Sequence, residues 1–273
     1  MMSVSETKRL LRTYRIVSNR LLGQNFIVNT SIFPKLADYS SLSKIDVVLD
    51  AGAGFGFLTR FLANKCKSVL AVEKDPVVAV VLREQLKGLA NVTVVEGDVL
   101  KATVPSFNKV ASIPPYQISS RLLMWLFDRG FECAVLVLQK EFAGRLVAAV
   151  GSEDYGWLTV ATRYRAEVQL LDAVPNFMFY PQPEVDSVIV RLKPWTATPF
   201  EVRDEPFFRR MVQWLFTHRN KKLSNAVASF IKSTFKVTKK GAKEAADVFS
   251  FHEKRVRELP PETFGELANA LTS

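Results

Sequence analysis

Seven consecutive residues, Asp50-Ala51-Gly52-Ala53-Gly54-Phe55-Gly56, form one of the two clearest chemical signals in the chain. Glycines at alternate positions let a backbone turn sharply and approach a ligand closely. Glu73 stands 21 positions beyond Gly52, where a carboxylate can accept two hydrogen bonds from a ribose diol. Asp98, in Glu96-Gly97-Asp98, is placed to meet an adenine amine. A nicotinamide dinucleotide is the main competing ligand. Its fingerprint reads G-x-G-x-x-G, and here the third glycine comes one position early. Asp50 also opens the loop with a negative charge, which repels a diphosphate and attracts an ammonium or sulfonium. S-adenosylmethionine therefore fits this set better.

The second signal is Ala111-Ser112-Ile113-Pro114-Pro115-Tyr116-Gln117-Ile118-Ser119-Ser120. Proline has no N–H, so its carbonyl faces outward as a fixed acceptor. The exocyclic amine of a base can donate to such a carbonyl while Tyr116 stacks on the ring. That arrangement aims a nitrogen lone pair at a methyl donor without an unusual general base.

These loops need a scaffold that brings them to one edge. From Asp46 onward, short β-branched runs alternate with helical stretches. The runs are 47–49, 69–72, 92–95, 109–111 and 134–138. Helical stretches lie at 58–66, 76–88 and 118–129. Continuous apolar runs fit strands buried on both faces, and their alternation with helices predicts a mostly parallel, Rossmann-like α/β sheet. Ligands bind at the carboxyl edge of such sheets. Two later runs, 167–174 and 186–192, are separated by the Pro-rich segment 175–183 and predict an antiparallel addition at the sheet edge. After Pro194 only helical patterns follow, at 207–216, 221–233 and 263–271. The expected organisation is a basic segment over 1–24, an α/β domain over 25–193 and a small all-α domain over 194–273.

Composition narrows the choices. The chain has 273 residues, 48% of them hydrophobic and 23% charged, as in a folded protein. It carries no apolar run long enough to span a membrane, and no secretory signal is expected. Cys66, Cys133, His218 and His252 show no ligand spacing, so no metal site is expected. The cysteines read as buried hydrophobes in a reducing, cytoplasmic compartment. The net charge of +10 is uneven: residues 1–24 carry +4, residues 25–190 carry −1 and residues 191–273 carry +7. A near-neutral body with basic ends suits a polyanionic partner.

The chain resembles the ribosomal RNA adenine dimethyltransferase family, especially its archaeal members. The resemblance rests on Leu22-Gly23-Gln24-Asn25-Phe26-Ile27, Asp50 to Gly56, Glu73, Glu96-Gly97-Asp98, Ile113 to Ser120, Gln139 to Leu146, Tyr155-Gly156, Pro181 to Leu192 and His218-Arg219-Asn220-Lys221-Lys222-Leu223. It implies transfer of two methyls to each of two adjacent adenosines near the 3′ end of small-subunit rRNA, by a monomer acting on the assembling 30S subunit. It also implies that the α/β part over 25–193 is a methyltransferase domain and the all-α part over 194–273 an RNA-binding domain. Carried over by position, Asn25, Ile27, Gly52, Glu73 and Asp98 contact S-adenosylmethionine. Gln24, Asp50, Gly54, Gly56, Lys74, Val99 and Ser112 lie around it. Ser112 or Ile113, with Pro115 and Tyr116, form the amine site.

One departure stands out. Family members commonly read Asn-Leu-Pro-Tyr or Asn-Ile-Pro-Tyr; alignment on Pro115-Tyr116 puts Ile113 at the Asn position, whereas alignment on Val110-Ala111 puts Ser112 there, with one extra Pro. Losing that amide acceptor costs about 1 kcal/mol, the net worth of one hydrogen bond. Backbone carbonyls or the Ser112 hydroxyl are the available substitutes. An aromatic among Phe177, Phe179 and Tyr180 is expected to sandwich the flipped base with Tyr116. Lys8, Arg9, Arg12, Arg15 and Arg20, with Arg219, Lys221 and Lys222, are the expected phosphate contacts. Two alternatives remain open: a methyltransferase of large-subunit rRNA, and a ribosome-assembly factor that binds RNA but turns over slowly.

Overall fold

The computed structural model describes residues 4–17 and 24–272. They fall into two compact units, one of residues 1–143 and 168–194, the other of residues 144–167 and 195–273. One division falls at Pro194, where the boundary is expected; what differs is the stretch 144–167, which belongs with the later helices rather than with the sheet.

The first unit is built on a seven-stranded sheet. Its strands are β2 (Val47–Ala51), β3 (Ser68–Glu73), β4 (Val92–Glu96), β5 (Lys109–Ser112), β6 (Cys133–Gln139), β7 (Ala166–Val174) and β9 (Ser187–Pro194). Their order is β4-β3-β2-β5-β6-β9-β7. The first five pair in parallel. β9 runs antiparallel to β6, with Gln139 opposite Ser187. A two-residue pair, β1 (Phe26–Ile27) with β8 (Phe179–Tyr180), is separate and antiparallel. The sheet is thus Rossmann-like with an antiparallel edge, as the apolar runs predict. Val48, Leu49, Val69, Val110 and Val135 are fully buried. This double-sided burial is why these strands read as unbroken apolar runs.

Helices α1 (Val4–Thr13), α2 (Phe33–Tyr39), α3 (Phe57–Ala63), α4 (Pro76–Gln85) and α5 (Ser119–Arg129) belong to the same unit. Asp75 caps α4, its carboxylate accepting from Val77 N and Val78 N, with Pro76 in the first turn. α6 (Lys140–Leu146) follows β6 directly.

The second unit contains α7 (Trp157–Arg165), α8 (Glu205–Phe216), α9 (Leu223–Phe235), α10 (Lys239–Asp247) and α11 (Pro261–Leu271). Phe208, Met211, Leu215, Phe230 and Phe264 form its core. The buried Tyr155 hydroxyl donates to Leu259 O at 2.7 Å. Helix α9 begins at Leu223 rather than at Lys221. Lys222 is held in a bridge with Arg255, and Lys221 O accepts from Val256 N, so both residues are drawn out of helical geometry. Sequence reading missed α10, which buries only Ala242 and Ala246 and so leaves a faint apolar stripe. It also missed the short helices α1, α2, α6 and α7. Among the described residues no helix is long and apolar enough to cross a membrane.

Candidate cofactor and base-binding site

One cavity of the first unit opens at the carboxyl edge of the parallel strands. It joins the turn after β2, the ends of β3 and β4, and the loop after β5. The sheet order places these in a row: Asp98 beyond β4, Glu73 at the end of β3, Gly52 beyond β2, then the Pro-Pro-Tyr loop beyond β5.

The turn after β2 is shaped by its glycines. Gly52 N and Ala53 N both donate to Val72 O, at 2.8 and 3.0 Å. Gly52 has φ +77°, and a Cβ there would sit 2.6 Å from Pro115 Cδ. The glycine therefore lets the two loops touch. Gly56 takes φ +80° at the start of α3, where a Cβ would meet Leu82 at 2.6 Å. Gly56 does not line the cavity; it seats α3 against α4.

Asp50 lines the cavity and is almost wholly buried. Thr59 Oγ1 donates to its Oδ2 at 2.7 Å. Burial pushes its carboxyl up to about 7, the Thr59 hydroxyl opposes this, and the Glu73 charge adds to it. Glu73 is also buried. Its Oε2 accepts from Gly54 N and its Oε1 from Asp75 N, each at 2.9 Å. Burial raises the Glu73 carboxyl above its ordinary value, against the pull of these N–H groups. Burial acts on Asp98 in the same sense. There the Leu100 N–H and the Lys74 ammonium, 3.2 Å away, outweigh it and hold the carboxyl below its ordinary value.

Gln24, Asn25, Ile27, Gly54, Lys74 and Val99 also line the cavity. Gln24 is steadied by its amide, which donates to Asp75 Oδ2 at 2.9 Å. Such a row of acids and exposed backbone can take up an adenosine, and the buried Asp50 faces any cationic group beyond it.

At the other end lie Ile113, Pro114, Pro115, Tyr116 and Phe179. The Tyr116 and Phe179 rings meet edge to face, with centroids 6.4 Å apart. The Tyr116 hydroxyl is 2.7 Å from the buried Ser187 hydroxyl. Ser112 does not reach the cavity. Its fully buried Oγ accepts from Ala51 N at 3.0 Å and donates to Ala51 O at 2.7 Å, tying β5 to the end of β2. That hydroxyl is thus spent within the sheet and cannot replace an amide at the base. Phe177 lies on the turn just before Phe179, is 63% exposed and does not line the cavity. Tyr180 pairs with Phe26 across the small sheet, and the Lys8 ammonium sits 5.0 Å from its ring.

Sequence reasoning missed Phe26, Phe55, Gln117 and Arg121 as lining residues. Phe26 and Phe55 stack at 4.2 Å, and Phe55 could have been suspected from its place between Gly54 and Gly56. Arg121 carries no motif; only the turn that leads into α5 brings it to the cavity.

The expected phosphate contacts belong to both units, Arg12 and Arg15 to the first and Arg219, Lys221 and Lys222 to the second. Arg12 and Arg15 are exposed at and just beyond the end of α1, while Arg20 lies outside the described residues. Lys221 and Lys222 are exposed, and Lys222 pairs with Glu253. Arg219 is half-buried, its guanidinium donating to Ser152 O at 3.0 Å. Among the described residues no group of three His, Cys, Asp or Glu side chains is placed to hold a metal.

Comparison with known proteins places this geometry in a family. Residues 17–259 match the model of the ribosomal RNA adenine dimethylases. The chain is 38% identical to a probable ribosomal RNA small subunit methyltransferase A of Methanosarcina mazei, covering 97% of this chain and 96% of that one. A relative of the same name in Methanothermobacter thermautotrophicus is 38% identical, covering 94% of this chain and 88% of the other. Among solved structures, a dimethyladenosine transferase of Plasmodium falciparum superposes with a TM-score of 0.77 at 27% identity, covering 90% of this chain and 97% of that one. The 23S rRNA methyltransferase ErmE gives a TM-score of 0.64 at 29% identity, covering 91% of this chain and all of the other. The sheet, the cavity at its edge and these full-length matches agree: the chain belongs to the ribosomal RNA adenine dimethylase family, whose members methylate rRNA adenine with S-adenosylmethionine.

Proposed function

We propose that this protein transfers methyl groups from S-adenosylmethionine to the N6 amines of two adjacent adenosines near the 3′ end of small-subunit rRNA, acting as a monomer on the assembling 30S subunit in the cytoplasm. The observation that carries the reading is one continuous cavity running from Asp98 and Glu73 past Asp50 to Pro115 and Tyr116. Near-full-length similarity to archaeal proteins named for the small subunit supports that subunit over the large one.

The residues fit the cofactor. Glu73 is assigned to the ribose hydroxyls, Asp98 to the adenine amine and Asp50 to the ammonium, with Gly52 and Gly54 giving close backbone approach. Gln24, Asn25, Ile27, Lys74 and Val99 complete the enclosure, and Gly56 supports it from behind through α3. Bound S-adenosylmethionine supplies a methyl group already activated by its sulfonium.

The chain's own task is then to position the base and exclude water. Tyr116 offers a ring face to the flipped adenine, while Phe179, buried and edge to face with Tyr116, sets the tilt of that ring rather than completing a sandwich. Ile113 offers no side-chain acceptor and Ser112 is engaged with Ala51, so we assign the amine proton to a backbone carbonyl of the Ile113–Pro115 stretch. The amine nitrogen takes the methyl as the sulfonium carbon–sulfur bond breaks, and releases its proton to water only when the methylated base leaves the cavity. Ser112 acts by fixing where this stretch leaves the sheet. We assign phosphate contacts to Arg12, Arg15, Lys221 and Lys222, and an RNA-binding role to the helical unit.

The deciding experiment incubates the protein with labelled S-adenosylmethionine and undermethylated 30S particles, followed by identification of the modified nucleotide. Dimethyladenosine at two adjacent positions of small-subunit rRNA is expected. Label confined to large-subunit rRNA overturns the choice of substrate. Binding of RNA and cofactor without transfer overturns the enzymatic reading in favour of an assembly factor.

A further inference from the structure

Arg121 lies on the first turn of α5, three residues after Ile118 and four after Gln117, and all three line the cavity. The spacing puts them on one face of the chain as it enters the helix. The guanidinium is exposed. No hydrogen bond or ion pair engages it among the described residues. The other cation lining the cavity, Lys74, is paired with Asp98. The remaining charged lining groups are Asp50, Glu73 and Asp98, all carboxylates. Among the described residues, Arg121 is therefore the one lining cation left open to an anionic ligand.

Sheet order says which anion. Asp98 follows β4, Glu73 ends β3 and Gly52 follows β2, and the loop after β5 lies on the far side of β2 from the first two. Arg121 follows that last loop, at the Tyr116 end of the row. A base drawn into the cavity at this end leaves its ribose and phosphates at the mouth. An arginine there can grip a phosphate through two parallel N–H donors, which a lysine cannot do. We propose that Arg121 holds a backbone phosphate beside the target adenosine and so sets the depth and register of the entering nucleotide. This inference rests on the methyltransferase reading above.

The test compares Arg121→Ala, Arg121→Lys and Arg121→Glu with the parent protein. RNA binding is followed by fluorescence anisotropy across a salt series, using an unmodified fragment of the 3′ end of small-subunit rRNA. S-adenosylmethionine binding is followed by calorimetry, and KM and kcat are measured for transfer. In Arg121→Ala, RNA affinity should fall roughly tenfold and the salt slope by about one phosphate contact. KM for RNA should rise more than kcat falls, and cofactor affinity should hold. Arg121→Lys should recover the slope but only part of the affinity, and Arg121→Glu should be worse than Ala. Unchanged RNA affinity and slope in Arg121→Ala overturn the inference. Lost cofactor affinity with intact RNA binding also overturns it, and assigns the guanidinium to the cofactor carboxylate. If the parent protein transfers no methyl, the methyltransferase reading fails, and the salt slopes still decide the role of Arg121.

Discussion

The hydroxyls of Tyr116 and Ser187 lie 2.7 Å apart, linking the loop after β5 to the first residue of β9. The Tyr116 ring is thereby anchored at its tip, with its edge relation to Phe179 fixing the tilt. Tyr116→Phe keeps the ring and loses one hydrogen bond, so turnover should fall only about two- to fivefold, equivalent to under about 1 kcal/mol. Tyr116→Ala loses base stacking worth about 1–3 kcal/mol, and turnover should fall roughly 10- to 100-fold. Ser187→Ala should mimic Tyr116→Phe. Equal losses in the Phe and Ala variants would show that the hydroxyl, not the ring, matters.

Gly52 is where the cofactor turn and the Pro-Pro-Tyr loop touch. Gly52→Ala adds a methyl 2.6 Å from Pro115 Cδ, at a φ of +77° that L-residues rarely adopt. The left-handed conformation alone costs about 1–2 kcal/mol. The Pro115 ring must also move. Thermal unfolding should show that destabilisation, and transfer should fall more than cofactor affinity does. Unchanged melting and turnover would show that the loops are not in register through this contact.

Glu73 both faces the cavity and holds its wall, since its two oxygens accept from Gly54 N and Asp75 N. Glu73→Ala should weaken S-adenosylmethionine binding by about 1.5–3 kcal/mol through the lost ribose contact, and should loosen the turn as well. Glu73→Gln keeps one acceptor oxygen and should fall between the parent and Ala. Calorimetry giving the parent affinity for both variants removes Glu73 from the site.

The Asp50 carboxyl, pushed by burial up to about 7, gives cofactor binding a pH dependence. Below that value Asp50 is protonated and offers little to an ammonium. Affinity should rise as pH climbs through about 7 and fall again once the cofactor amine loses its proton near about pH 8. Stability runs the other way. Between the ordinary carboxylate range and about 7 the folded state holds a proton that the unfolded chain has lost, so this group's contribution falls as pH rises across that window. Asp50→Asn should remove the acid limb of the binding profile in calorimetry. A profile with that limb intact assigns it to another group.

The C-terminal cations should separate into two kinds. Lys221 and Lys222 are exposed, and replacing both with Ala should lower the salt slope of RNA binding by up to about two phosphate contacts without changing melting. Arg219 is half-buried and donates to Ser152 O. Arg219→Ala should destabilise the helical unit by about 1 kcal/mol and change the slope less. A slope effect from Arg219 equal to that of the lysines would make it a phosphate ligand.

Much of this was legible in the chain itself. Runs such as Val47-Val48-Leu49 announce strands because strands covered on both faces need unbroken apolar residues. The glycine turn, Glu73, Asp98 and Pro115-Tyr116 could be named because each follows such a run, at the edge where ligands bind in this type of sheet. Tertiary structure alone decided how these groups are used. Ser112 and Ile113 are neighbours in sequence, but alternation along the exit of β5 sends one hydroxyl into Ala51 and leaves the other side chain on the cavity. Ser187 meets Tyr116 across 71 residues, and Gly52 meets Pro115, only because β9, β6, β5 and β2 stand in that order. Local spacing specifies what a residue can do, whereas which partner occupies its polar atoms depends on contacts between distant segments that no local pattern encodes.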